Sequence, residues 1–155
     1  MLDPRITKLA HVLVNYSCGV KKGEKLLIEA IDVPHEFTCE VIRLTREAGG
    51  IPLVKLESNQ VKRALMQAGC NETWDILAQS EKGIMEQADC YIGARGSYNV
   101  SELADVSRAN QDLYEKNVWR RVHQETRLKK RWCVLRWPTP SMAQLAEMST
   151  EGFEE

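Results

Sequence analysis

Three stretches of this sequence hold residue types at spacings that could do chemistry. In His35-Glu-Phe-Thr-Cys39 an imidazole and a thiol stand four residues apart, on one face of any helix that contains them, with Glu36 beside them. Such a pair could hold a soft metal while the carboxylate served as a base. The chain has three histidines, His11, His35 and His123, and nothing in the sequence brings a third ligand to His35 and Cys39. The expectation is therefore a first helical turn with one core cysteine. Gly93-Ala-Arg-Gly96 follows a short apolar run and precedes a helical stretch, a setting in which backbone N–H groups can cradle a phosphate. It lacks the full dinucleotide-binding and P-loop patterns, and Lys21-Lys-Gly-Glu24 lies on the wrong side of a strand. A tight turn is expected, with a nucleotide or anion at Gly93–Gly96 as the alternative.

The third stretch, Trp119 to Trp132, holds six basic residues and one acid between two tryptophans, a composition that suits nucleic acid. It equally suits a helix whose Arg120, Arg121, Arg127 and Lys130 lie on a solvated face and complement its dipole, while Val118 and Val122 face a sheet. In that arrangement Trp119, Trp132 and Trp137 enter the core or an interface. This second reading is adopted, and nucleic acid is not an expected partner. Ser141 lacks the elbow of a nucleophilic serine, and no thiol has an identifiable basic partner. No catalytic, cofactor-binding or metal-ligating residue is assigned from these motifs.

The elements that must position these residues alternate. Asp3-Pro4 starts a helix reaching about Cys18, with Ile6, Leu9, Leu13 and Tyr16 at helical spacing. Lys25–Ala30 is a first strand, Pro34–Ala48 a helix stopped by Gly49-Gly50, and Ile51–Leu56 a second strand. Helices at Gln60–Ala68 and Thr73–Ala88 follow, the latter with Trp74, Leu77, Ile84 and Ala88 on one face. Cys90–Ala94 is the third strand. A helical stretch from Ser101 to Lys130, broken near Val106-Ser107, leads to the fourth strand at Trp132–Trp137 and a short helix from Thr139-Pro140 to Ala146. Strands separated by helices predict a three-layer α/β sandwich with a mostly parallel sheet of about four strands, whose order is not readable. Ligands of such a sheet sit beyond its carboxyl ends. The candidate positions there are Asp32 and His35, Glu57–Asn59, Arg95–Asn99 and Pro138–Ser141.

With 155 residues, 28% charged and a formal net charge of -1, the chain is long enough to bury a core and offers no bulk attraction to nucleic acid or anionic lipid. The amino terminus is charged where a signal peptide is apolar, and no run approaches a membrane span, so a soluble cytoplasmic protein is expected. Five widely spaced cysteines, with no CxxC pair, are expected to be reduced and mostly buried.

Ser149 can cap a helix that begins with Glu151 in its first turn, with Met148 and Phe153 placed as a hydrophobic staple. The chain stops at Glu155, after fewer than two turns, as a fragment of a longer protein would. The same region carries Trp137-Pro-Thr-Pro140, Ala143-Gln144 and Met148-Ser-Thr-Glu151, in that order after a hydrophobic strand. This segment resembles the thermophilic metalloaminopeptidases, the family of aminopeptidase T and aminopeptidase S. The amino end looks like the family's opening as well, with Lys8-Leu-Ala, Leu13-Val-Asn-Tyr-Ser17 and Val20-Lys-Lys-Gly-Glu-Lys-Leu-Leu-Ile28. The resemblance implies a dimeric exopeptidase that uses two divalent metals, zinc or cobalt, to polarise the scissile carbonyl of a peptide and generate hydroxide. The family's Glu, His and Asp ligands lie in its second half, so none is carried onto a position here. The expectation is a non-catalytic amino-terminal domain at 1–147 and the start of a truncated helix at 148–155.

Overall fold

The computed structural model describes residues 3–154. Asp3 caps the first helix, α1 (Pro4–His11), by accepting the Arg5 N–H at 2.8 Å, and Pro4 supplies the helical φ without needing a donor. The helix does not keep its pitch to Cys18. Val12–Ser17 is π-helical, closed by the Cys18 N–H on the Leu13 carbonyl at 2.9 Å. The wider turn shifts the phase of the apolar stripe, so Ala10, Leu13, Val14 and Cys18 face inward and Tyr16, expected on that stripe, is 86% exposed.

Four parallel strands follow: β1 (Lys25–Ile31), β2 (Ile51–Glu57), β3 (Cys90–Arg95) and β4 (Arg131–Arg136), in the spatial order β2-β1-β3-β4. The helices between them are α2 (His35–Glu47), α3 (Asn59–Ala68), α4 (Asn71–Gln87) and α5 (Arg108–Tyr114), with α6 (Pro140–Leu145) and α7 (Thr150–Glu154) after β4. The expected α/β sandwich with a parallel sheet is what forms. The chain winds outward from β1 to β2, then crosses back over β1 to place β3 on its other side, and the switch point lies between β1 and β3.

Side chains alternate across the sheet, and the register assigns each to a face. Leu26, Ile28 and Ala30 of β1, with Cys90, Ile92 and Ala94 of β3, pack against Ala10 and Val14 of the first helix and Phe37 and Val41 of α2. On the opposite face Leu27 and Tyr91 meet Trp74, Ala78 and Met85 of α4 and Val118 and Val122 of a second π-helical segment, Glu115–Gln124, which continues α5. In α4 the inward positions are Trp74, Ala78 and Met85, followed by the buried C-cap Ala88; Ile84, expected among them, is exposed. The break expected near Val106-Ser107 is real: Val106 is buried and Ser107 caps α5, its hydroxyl accepting the Asn110 N–H at 3.2 Å. At the other end the expected cap also forms, with the Gly152 N–H on Ser149 Oγ at 3.1 Å.

Of the five cysteines, only Cys18 and Cys90 are buried. Cys133 is half-buried, and Cys39 and Cys70 are exposed, so the expectation of mostly buried thiols fails. No helix among the described residues is long and apolar enough to cross a membrane.

Candidate functional site

One face of the sheet changes character along its strands. The β1 residue Glu29 lies in register with Lys55 of β2 and Gly93 of β3, two residues beyond the apolar row that holds Leu27, Leu53 and Tyr91. A carboxylate in the central strand, 3% exposed, must be compensated. The Tyr91 hydroxyl donates to Glu29 Oε1 at 3.0 Å, and Lys55 Nζ lies 3.6 Å from Oε2. Lys55 also contacts Glu57 at 2.5 Å and Glu81 of α4 at 2.9 Å, and Lys62 of α3 contacts Glu57 at 2.9 Å. Burial opposes ionisation of Glu57, but the charges of Lys62 and Lys55 outweigh it and hold the carboxyl down at about 2. Burial likewise opposes the charge on Lys55, and its three carboxylates raise its pKa regardless. Glu81 moves the other way, its pKa raised by burial.

Gly93 makes this arrangement possible. A Cβ there would stand 2.7 Å from the Tyr91 hydroxyl, so the bare backbone is the floor over which the phenol reaches Glu29.

His123, 4% exposed on the second π-helical segment, closes the network from above. Its ring meets Tyr91 edge-on at 6.0 Å and lies 5.8 Å from the Trp119 ring, with Nε2 3.8 Å from Glu29 Oε2. Burial pushes its pKa down to about 4 against the pull of Glu29, so the imidazole is neutral at pH 7. Arg127 was expected on a solvated face, yet it is buried, its guanidinium 5.5 Å from the Tyr91 ring and 4.6 Å from the Trp132 ring. Trp132 covers it while remaining about half exposed. The rest of the basic stretch is largely tied to neighbours: Arg121 to Asp75, Lys130 to the Glu86 carbonyl and Arg131 to Glu24.

The strand ends form the rim. Glu57, Ile31, Arg95 and Arg136 stand in one row across the sheet, and above them opens a cleft of about 680 Å³ bounded by α3, the α5 region and α6. Asp32, at φ +47°, turns the chain out of β1; its carboxylate accepts the backbone N–H of Asn59 at 3.2 Å and its side-chain amide at 2.7 Å. Asn59 also donates to the Gly96 carbonyl at 3.3 Å, so Asp32 clamps the ends of β1, β2 and β3. A Cβ on Gly96 would stand 2.2 Å from the Asp32 carbonyl oxygen, and the Gly96 N–H is spent on the Ile31 carbonyl at 2.7 Å. Gly93 lies inside β3. Gly93–Gly96 is thus a close strand approach, and the phosphate cradle considered for it does not exist.

The Trp137-Pro-Thr-Pro140 motif sews β4 to the loop after β3. The Trp137 N–H donates to the Arg95 carbonyl at 3.0 Å and its ring lies 4.9 Å from Phe37, while the buried Thr139 hydroxyl donates to the Ser97 carbonyl at 2.7 Å. Ser141 donates to the same carbonyl and has no base beside it, so it is no nucleophile. His35, Glu36 and Cys39 are exposed on α2 and none of them lines the cleft, and the core cysteine expected there is a surface thiol.

The sequence of the family described as thermophilic metalloprotease (M29) matches this chain over residues 2–155. The chain belongs to that M29 family. Among solved structures it is similar to wild-type AmpT from Thermus thermophilus, with a TM-score of 0.74 and 14% identity over 97% of this chain and 41% of that one. The M29 chain therefore spans about two fifths of the length of that relative, and at this identity the likeness shows the fold. A second match, to CurK enoyl reductase, has a TM-score of 0.38 and 9% identity over 92% of this chain and 44% of that one, too low to carry an argument. No curated protein sequence matches.

A metalloprotease family implies a metal, and the residues described do not fit one. Among them no three of His, Cys, Asp and Glu converge as a metal would need. The carboxylates that do converge, Glu29, Glu57 and Glu81, surround the Lys55 ammonium.

The inner network of Glu29, Lys55, Tyr91 and His123 escaped the sequence reading. The available signal was opposite charges in the middle of apolar strands, Leu-Leu-Ile-Glu29 and Pro-Leu-Val-Lys55. Their pairing depends on a strand order that the sequence does not state.

Proposed function

We propose that this chain is the amino-terminal, non-catalytic part of a metal-dependent aminopeptidase that removes amino-terminal residues from peptides, working as a homodimer in the cytoplasm. In this reading residues 1–147 form the supporting domain and residues 148–155 begin the helix that leads to the catalytic part. The observation that carries it is the lysine-centred cage: the carboxylates that converge in the sheet, Glu29, Glu57 and Glu81, are spent on Lys55 and Lys62. A pair of divalent ions, zinc or cobalt, would supply Lewis acidity and a bound hydroxide when held by residues other than these. This chain's own residues form a rigid wall: Asp32 and Asn59 fix three strand ends, and Thr139 anchors the fourth.

The test is an assay of the 155-residue chain on amino-acid p-nitroanilides with zinc or cobalt added. No turnover above the metal-containing buffer is expected. Turnover that follows the protein through further purification would sink the non-catalytic assignment.

A further inference from the structure

The amino ends of the strands, at the opposite end of the sheet from the cleft, hold thiols that the site described above does not use. Cys90 is the first residue of β3 and belongs to the core under α1 and α2. Cys18 joins the same core from the close of the Val12–Ser17 π-helical segment. Its thiol lies 3.6 Å from the Tyr91 carbonyl, and the Cys90 thiol lies 3.8 Å from the Lys25 carbonyl. The two sulfurs also meet each other, the Cys18 S–H donating to Cys90. Cys133 of β4 packs on the same core and is half-buried. Among the described residues no three such groups converge as a metal would need, so the feature is a pair.

No basic partner for a thiol is legible in the sequence, and the fold supplies one. Arg131 pairs with Cys90 in the β3–β4 register, and its guanidinium hydrogen-bonds both the Cys90 sulfur and Glu24. The S–H donated by Cys18 and this cation bring the Cys90 pKa down against its burial. The same hydrogen bond, with burial, raises the pKa of Cys18. One sulfur is thereby favoured as a nucleophile while its neighbour keeps a proton in contact with it, an arrangement suited to thiol–disulfide chemistry. A core that required only apolar volume would gain nothing from a cation beside a thiol. Cys18 and Cys90 are 2% and 0% exposed, whereas the Arg131 side chain bonded to Cys90 is 41% exposed. Displacing that one side chain opens the pair to a small uncharged oxidant.

We propose that Cys18 and Cys90 form a reversible oxidation site, joined as an intrachain disulfide by a hydroperoxide. The Cys90 thiolate attacks a peroxide oxygen and the O–O bond breaks, leaving a Cys90 sulfenic acid and, with hydrogen peroxide, one water after protonation. The Cys18 sulfur then attacks the Cys90 sulfur, the S–O bond breaks, and the hydroxyl departs with the Cys18 proton as a second water. Two thiols lose two electrons and the peroxide gains them. A dithiol reductant reverses the step by exchange. The bond ties the end of the first helical arm to an inner strand of the sheet. It involves neither the cleft nor peptide hydrolysis, so the proposal stands or falls separately from the function proposed above.

Treatment of the reduced 155-residue chain with hydrogen peroxide, followed by alkylation and peptide mass mapping without reductant, tests it. A linked Cys18–Cys90 peptide that dithiothreitol removes is expected, with a thermal midpoint raised by about 5 °C or more. In concentrated urea the same bond is expected to form at least roughly tenfold more slowly, because the chain no longer holds the two sulfurs together. Arg131→Gln is expected to slow the reaction roughly tenfold while thermal unfolding stays cooperative. The proposal is overturned if Cys39 and Cys70 are oxidised while Cys18 and Cys90 remain free thiols, or if Cys133 replaces either in the linked peptide. A bond that forms as fast in urea as in the folded chain, or an unchanged rate in folded Arg131→Gln, overturns it as well.

Discussion

The two faces of the sheet solve the same burial problem by different means. Under α1 and α2 the central strands present only apolar side chains, Leu26, Ile28, Ala30, Cys90, Ile92 and Ala94, and the helices answer with Val14, Phe37 and Val41. Under α4 and the second π-helical segment the face starts apolar at Leu27 and Tyr91 and turns ionic at Glu29 and Lys55, on the way to the cleft. The first face owes its stability to area removed from water, which does not depend on pH. The second holds buried charges that remain only while each is matched. A domain whose sole task was to fold would gain from two faces of the first kind, since apolar replacements of buried ion pairs are often neutral or stabilising. The ionic half lies toward the carboxyl ends of the strands, the side on which open parallel sheets bind ligands.

The largest effects should separate the faces by their response to acid. Lys55→Met leaves Glu29, Glu57 and Glu81 facing one another without their cation and is expected to cost about 3–5 kcal/mol at pH 7. The loss should shrink at pH 4, because burial raises the Glu81 pKa and lets that carboxyl take a proton. Phe37→Ala on the apolar face is expected to cost a similar ~3–5 kcal/mol, with the same loss at both pH values. Urea unfolding of both variants at pH 7 and pH 4 measures the contrast, and equal pH responses would erase it.

His123 gives the next effect. Its pKa falls from 6.5 in the unfolded chain to about 4 in the folded one, so the unfolded state binds more protons between those values. Its contribution is complete above pH 6.5 and declines as pH falls toward 4, on the order of 3 kcal/mol in all. Glu57 adds a loss of the same sign at lower pH, from 4.5 down toward about 2. A stability profile of wild type against His123→Phe should differ in slope within the upper window and run parallel above it.

Smaller changes probe the fit. Gly93→Ala drives a methyl group into the Tyr91 hydroxyl and parts it from Glu29, for an expected ~1–3 kcal/mol, seen as a lower urea midpoint with an unchanged slope. Thr139→Val removes the hydrogen bond to the Ser97 carbonyl and should cost about 1 kcal/mol, with faster amide exchange in the loop after β3.

Much of the fold was legible because short apolar runs between capped helices leave few alternatives to a parallel sheet. The α5 break was legible for a local reason, a capping serine at Ser107. What escaped depends on phase or on pairing. One extra residue in the π-helical turn moves Tyr16 out to solvent, and no periodicity count anticipates that insertion. Arg127 reads as a surface cation until Tyr91 and Trp132, on two adjacent strands, are seen to enclose it. Arg95 was placed correctly at the strand ends, but His123, which lines the same cleft, lies 28 residues away on a segment read as ordinary helix. The family motif near Trp137 was recognised as a pattern, and its physical content, a threonine hydroxyl holding two loops together, appeared only in three dimensions.

Lys55 has a consequence outside the folded molecule. It belongs to β2, an outer strand of the sheet whose free side is a template for another chain, and natural sheets commonly blunt such sides with inward-pointing charge or with proline. β2 carries both, in Lys55 and Pro52. A strand adding there would have to accommodate a cation held in place by three carboxylates. The cage is expected to oppose strand addition at the β2 edge, and the Lys55→Met chain should lose solubility at concentrations where the equally destabilised Phe37→Ala chain remains dispersed.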